Sequence, residues 1–82
     1  MDATRTYTVI LEPAEEGGFV VHVPALPEVI TEGETETEAI AMAKEAIELA
    51  IEERLAEGES IPIEREPQMR KVTVRLAEPS TA

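Results

Sequence analysis

The sequence predicts a small α+β domain with the element order strand, strand, strand, helix, strand (β-β-β-α-β). Short segments of alternating, β-branched residues predict the strands, a long stretch without Gly or Pro predicts the helix, and Gly and Pro clusters separate them. Because the chain has only 82 residues, we expect one domain, residues 1–82, with a core at about 5–76 and a polar tail at 77–82. The resulting architecture is a four-stranded sheet with one long helix on one face.

Four segments carry the strand pattern. Thr6–Leu11 and Phe19–Val23 form a predicted hairpin, joined by a turn at Pro13–Gly18, since Pro cannot continue a central strand and Gly tolerates positive φ. Val29–Glu32 is the predicted third strand, and Lys71–Leu76 alternates again as the fourth.

The helix is predicted from Glu36 to Glu57. Thr35, followed three residues later by Glu38, forms a capping box at its start, and Gly58 stands where a left-handed residue commonly ends a helix. The predicted sheet-facing stripe consists of Ile40, Ala43, Ile47, Ala50 and Ile51.

Successive side chains of a strand point to opposite faces of the sheet, so the position of each residue in a predicted strand assigns it to one face. The rows expected under the helix are Tyr7, Val9 and Leu11; Phe19, Val21 and Val23; and Val72, Val74 and Leu76. The reverse face is mixed and has no second helix to cover it. We therefore predict that Ile10, Val20 and His22 form an interface with a partner or with another copy of the chain.

The charge balance favours a basic partner. The formal net charge is −11, from 18 acidic and 7 basic residues, and such a field repels phosphate backbones. One Tyr and one Phe offer almost no stacking platform, so nucleic-acid binding is not expected. The first residues lack a signal-peptide pattern, and no apolar run approaches the ~20 residues of a membrane span, which predicts a cytoplasmic protein without membrane contact.

The sequence shows no recognisable arrangement of catalytic or metal-ligating residues, so we expect no enzymatic activity, no cofactor and no metal site. A two-metal nuclease needs converging carboxylates at strand ends, yet the only Asp is Asp2, and the Glu residues fall mostly on the outer helix face or in turns. His22 has no Ser, Cys or second His patterned around it. A degenerate or metal-dependent nuclease is kept as an alternative.

The basic segment near the C-terminus supports a different alternative. Lys71, Thr73 and Arg75 share one face of the last predicted strand, as in the ribbon of ribbon-helix-helix repressors, where such residues contact the DNA major groove. The ribbon needs two following helices to build its dimer, and only a short polar tail remains. We therefore favour a closing strand over a DNA-binding transcriptional regulator.

Several segments, in order, resemble the HicB-like antitoxin family. The resemblance covers about residues 6 to 62 and rests on short motifs whose order and spacing match the family. These motifs are YTVILE at 7–12, GGFVVHVP at 17–24, LP at 26–27, TEGET at 31–35, the helix start at 38–46 and the G…IP exit at 58–62.

The resemblance implies a partial RNase H-like fold with a mixed sheet, in which the last strand lies beside the first. It also implies a homodimer or homotetramer, and a role as antitoxin to a HicA-like toxin, a small basic mRNA-cleaving protein. Ala25 and Glu28 depart from the family's usual Asp and Gly, which puts any role of that Asp in doubt. The chain also ends before the DNA-binding domain that many members append.

Overall fold

The computed structural model describes residues 4–77. Three strands and one helix are present among them: β1 (Ile10–Pro13), β2 (Phe19–His22), β3 (Ile30–Gly33) and α1 (Glu36–Ala56). The strands form an antiparallel sheet in the order β1-β2-β3, with α1 packed on one face. Asp2 and nearly all of the predicted polar tail, residues 78–82, lie outside the described residues.

The first hairpin forms as predicted, with a shifted first strand. Gly17 and Gly18 take φ values of +100° and +76°, and the Ala14 amide donates to the Gly18 carbonyl at 3.0 Å. Pro13 is the last residue of β1 rather than part of the turn. It fits there because β1 is an edge strand, where a missing backbone N–H costs no ladder bond on the open side.

The helix begins at the predicted residue, Glu36, and ends one residue before the predicted end, at Ala56. The Thr35 hydroxyl accepts a hydrogen bond from the Glu38 amide at 3.1 Å, so one of the free N–H groups of the first turn is satisfied. At the other end, Gly58 has φ +78° and the Glu59 amide donates to the Arg54 carbonyl at 2.8 Å. The chain therefore leaves the helix through a left-handed glycine.

A bidentate ion pair joins the end of α1 to the β2–β3 connection. Arg54 donates from Nε and from its terminal nitrogen to the two oxygens of Glu28, at 2.8 and 2.9 Å. The hydrogen bonds from Arg54 hold the pKa of the Glu28 carboxyl below its usual value. Glu28, the residue that departs from the family pattern, therefore fixes the β2–β3 connection to the helix.

Alanines form the contact between helix and sheet. Ala39, Ala43 and Ala50 are buried, while Ile40 from the predicted stripe is half exposed. The facing core consists of Val21, Val23, Leu26 and Val29. Small side chains let the helix approach closely, so that a Cβ added to Gly33 would lie 2.6 Å from the Ala39 Cα and 3.0 Å from its Cβ.

The prediction of a fourth strand is wrong. Lys71–Leu76 forms no strand, and the sheet of the described residues has three strands and is antiparallel rather than mixed. Val72, Val74 and Leu76, predicted to lie under the helix, are 80, 68 and 79% exposed. The described chain measures 68 Å along its longest axis, about twice the length of a 21-residue helix, as expected if this segment extends away from the domain.

The connector between α1 and this segment, which includes Pro62 and Glu64, contacts the beginning of the chain. The Tyr7 hydroxyl donates to the Pro62 carbonyl at 2.7 Å, and the Glu64 carboxylate accepts from both the backbone N–H and the hydroxyl of Thr8. A side chain thus takes the Thr8 amide that a neighbouring strand would need. Pro62 and Pro67 have no N–H to donate, so the connector is poorly suited to extending the sheet.

Gly33→Ala tests the close approach of α1 to β3. The added methyl group overlaps the backbone of Ala39, so we expect the free energy of unfolding to fall by about 1–3 kcal/mol, measured by urea denaturation. Thr37→Ala, an exposed change in the same helix, is the control and is expected to stay within about 0.5 kcal/mol. Equal values for the two variants would contradict the close contact.

The pair between Glu28 and Arg54 predicts a pH dependence. Because the folded-state pKa of Glu28 lies below the ordinary value of 4.5, the pair stabilises the protein above that pH, and its contribution is lost as the pH falls through the folded-state pKa. The Tm of wild type is therefore expected to exceed that of Glu28→Gln at neutral pH, with a difference that closes in acid. In an Arg54→Met background, Glu28→Gln should change the Tm much less, because only the backbone hydrogen bond of Glu28 then remains to lower the pKa of its carboxyl.

Candidate functional site

The sheet face opposite α1 is the candidate functional site, and we call it the open face. Its register is fixed by strand pairing: Ile10 and Ile30 both lie opposite His22, and Glu12 and Glu32 both lie opposite Val20. Residues directly opposite in an antiparallel pair share a face. The open face therefore contains two rows of residues that run across the three strands. One row has Ile10 and Ile30 at its ends and His22 in the middle. The other row has Glu12 and Glu32 at its ends and Val20 in the middle.

Among the apolar residues of the open face, the one on β3 is the most exposed. Val20 and His22 on the central strand and Ile10 on β1 are partly buried by their neighbours, whereas Ile30 on β3 is 65% exposed. In the described part of the chain no helix or strand packs on this side. Exposed apolar side chains interspersed with charged ones are found at protein interfaces.

His22 lies in an acidic setting. Its Nε2 is 2.7 Å from Oε1 of Glu12, and both side chains are substantially exposed, at 42 and 61%. The contact runs diagonally from the apolar row to the acidic row, and it is an ion pair when the imidazole is protonated. Because water screens a pair this exposed, it orients the two side chains more than it stabilises the fold.

The structure brings together the three residues predicted for an interface, Ile10, Val20 and His22, on the open face. Their role in binding stays a prediction. The sequence reasoning missed the other apolar end, Ile30, and the two flanking carboxylates. Period two from Ile10 already indicates Glu12, but placing Ile30 opposite His22 requires the strand register, which the sequence alone does not provide.

The residues of the DNA-binding alternative are placed differently. Lys71, Thr73 and Arg75 are exposed on an extended segment that belongs to no sheet within residues 4–77. A ribbon that contacts DNA is a pair of strands, so the single extended segment is not that element.

Two further properties bear on the alternatives. Within residues 4–77, His and Glu side chains do not gather in groups of three or more that could hold a metal ion, which is the arrangement that the nuclease alternative requires. The one helix of this range is too polar to cross a membrane.

The fold and the open face define a small α+β domain in which, within residues 4–77, one face of the sheet is covered by the helix and the other carries exposed acidic and apolar residues. Comparison with known proteins agrees with this class. Residues 7–77 match the family described as HicB_like antitoxin of bacterial toxin-antitoxin system. The chain belongs to this family.

Individual relatives match over a similar stretch. Antitoxin HicB 1 of Photorhabdus laumondii is 46% identical over 57 residues, which cover 70% of this chain and 37% of that protein. Antitoxin HicB of Escherichia coli K12 is 42% identical over 57 residues, 70% of this chain and 41% of its own length. A UPF0150 protein of Thermoplasma acidophilum is 48% identical over 56 residues, 68% of this chain and 81% of its own length.

The chain therefore spans well under half of the two antitoxins named HicB and most of the UPF0150 protein. What it shares with all three is the domain described above.

If the open face serves binding rather than folding, its exposed apolar residue can be changed at little cost. Ile30→Thr keeps a β-branched side chain, and we expect the free energy of unfolding to change by no more than about 0.5 kcal/mol. Leu26→Ala, in the core, is expected to cost about 2–5 kcal/mol in the same urea titration. A large loss for Ile30→Thr would mean that the open face is part of the core.

Proposed function

We propose that this chain is an antitoxin that binds and neutralises a small basic HicA-type mRNA-cleaving toxin, and that it does so by binding alone, without catalysis of its own. The observation that carries this proposal, beside family membership, is the open face, which combines apolar residues on all three strands with carboxylates on both flanking strands. The protein acts in this proposal as a cover for the surface by which the toxin reaches RNA.

Charge supports a basic partner. An RNA-cleaving protein needs a cationic surface to hold phosphates, and a chain with net charge −11 attracts such a surface from a distance. On contact, Glu12 and Glu32 lie at the two edges of the open face, where they are positioned to meet Lys or Arg side chains. Ile10, Val20 and Ile30 then supply the apolar contact that charge alone does not.

Self-association is the second part of the proposal. A chain of 82 residues with one helix on one face of its sheet has a thin core, and a homodimer or homotetramer extends it. In this proposal the apolar residues of the open face contact the toxin, and copies of the chain contact one another through other surfaces.

Glu12→Lys tests the open face against a small basic HicA-type toxin from the neighbouring reading frame. The new cation faces the toxin's cationic surface, so the dissociation constant measured by calorimetry is expected to rise about tenfold or more. Inhibition of mRNA cleavage should weaken in parallel.

Glu15→Lys is the matched control, because it makes the same charge change three residues away, in the hairpin turn and off the open face. It is expected to change the dissociation constant much less. If saturating wild-type chain leaves mRNA cleavage unaffected, the antitoxin proposal is wrong; if the two variants bind alike, the toxin uses another surface.

A further inference from the structure

The segment Lys71–Leu76, which we call the C-terminal segment, has the pattern of a strand but pairs with nothing in its own chain within the described residues. One row, Val72, Val74 and Leu76, is apolar and more than two-thirds exposed, and the alternate row contains Lys71 and Arg75. An extended segment of this kind is a ready donor for the edge of another sheet.

This part of the chain is also oppositely charged to the rest. Residues 65–77 contain four cationic residues and one acidic residue, Glu66, in a protein whose net charge is −11. The cationic residues are Arg65, Arg70, Lys71 and Arg75. The acidic domain therefore attracts the segment electrostatically, whether the two belong to the same copy or to different copies.

A complementary surface lies between α1 and the free edge of β3, and we call it the β3-side groove. It is lined by Thr31, Met42, Ala46 and Leu49, with Glu45 and Glu52 among the bordering residues. Met42 and Leu49 are 40 and 56% exposed, although residues of this kind are usually buried. Because β3 pairs only with β2 in the described residues, its outer edge can accept another strand.

We propose that the C-terminal segment of a second copy of this chain occupies the β3-side groove and adds a strand to β3, so that two copies exchange segments reciprocally in a two-fold dimer. The apolar row covers Met42 and Leu49. By period two, Lys71 and Arg75 then project to the other side of the added strand, on the face where Glu32 lies.

The path of the connector favours binding of the C-terminal segment to the β3-side groove of a second copy rather than to the groove of its own chain. Tyr7 and Thr8 bond the connector at Pro62 and Glu64, which places the base of the segment beside the start of the first strand, at the sheet edge opposite β3. The two edge strands are about 10 Å apart. Within residues 4–77 the segment has no strand partner and its apolar row is exposed, so it does not lie in the groove of its own chain. The segment is therefore presented to another molecule.

The proposal goes beyond toxin binding, and its test uses the pure chain, so that its failure leaves toxin binding by the open face standing. A monomeric wild type would also contradict self-association, whereas a dimer that tolerates Val74→Asp would contradict only the exchange of segments. Sedimentation equilibrium of the full chain at micromolar concentrations is expected to give twice the 9.0 kDa chain mass. Val74→Asp in the segment and Leu49→Asp in the groove each place a charge in the proposed apolar contact and should raise the dimer dissociation constant about tenfold or more. Ile63→Asp, at an 81% exposed residue outside the segment, is the matched control and should remain dimeric.

Mixing the two variants tests whether the segment of one copy occupies the groove of the other. The Val74→Asp chain keeps an intact groove and the Leu49→Asp chain keeps an intact segment, so their mixture restores one of the two contacts and should dimerise more tightly than either variant alone. Circular dichroism verifies that each variant is folded.

A wild-type chain that sediments at 9.0 kDa would overturn the proposal, as would a Val74→Asp variant that dimerises like wild type. Duplex DNA binding that is lost on Arg75→Ala while Val74→Asp leaves the mass unchanged would also overturn it, and would assign the segment to nucleic acid instead.

Discussion

The contact between α1 and β3 is made by the smallest side chains in the protein, and much of the surface follows from that choice. Gly33 lies against the backbone of Ala39, and along the helix Ala43 and Ala50 belong to the two clusters of buried core residues. A helix that packs largely through alanine lies close to the sheet, and Ile47 is the large residue of the helix that still packs against the core. Ile40, Met42 and Leu49 are therefore left on its flanks, where they line surfaces rather than the core.

One helix over three short strands also leaves the sheet with one face and two edges unprotected in the described part of the chain. Small domains commonly compensate for a thin core by association. Here the unprotected regions differ in chemistry: the open face has carboxylates on both edge strands, whereas the β3-side groove offers exposed Met42 and Leu49. The two surfaces meet at β3, where Glu32 belongs to the open face and also lies on the side to which Lys71 and Arg75 of an added strand would project.

A pair of charged side chains links the β2–β3 connection to the helix. Glu28 forms two hydrogen bonds with Arg54 on the last turn of α1. The pair adds no net charge, since each partner neutralises the other. Its effect is to connect the β2–β3 turn to the helix end.

The sequence by itself determined the features that depend on neighbouring residues. The cap at Thr35, the glycine exit at Gly58, the turn at Gly17 and the face to which each residue of β1 and β2 points all follow from local chemistry, and the structure agrees with them. A capping hydroxyl or a positive φ needs only a few adjacent residues, so it can be predicted without knowing the rest of the chain.

Only the tertiary structure decided what each element pairs with. The alternation in Lys71–Leu76 indicates an extended segment, but whether that segment joins a sheet depends on a free edge and on the route of the connector, which the side chains of Tyr7 and Thr8 determine from more than fifty residues away. Ile30 likewise joins the open face only through its register with His22. These are contacts between distant residues, whose free energy depends on geometry that no local pattern encodes.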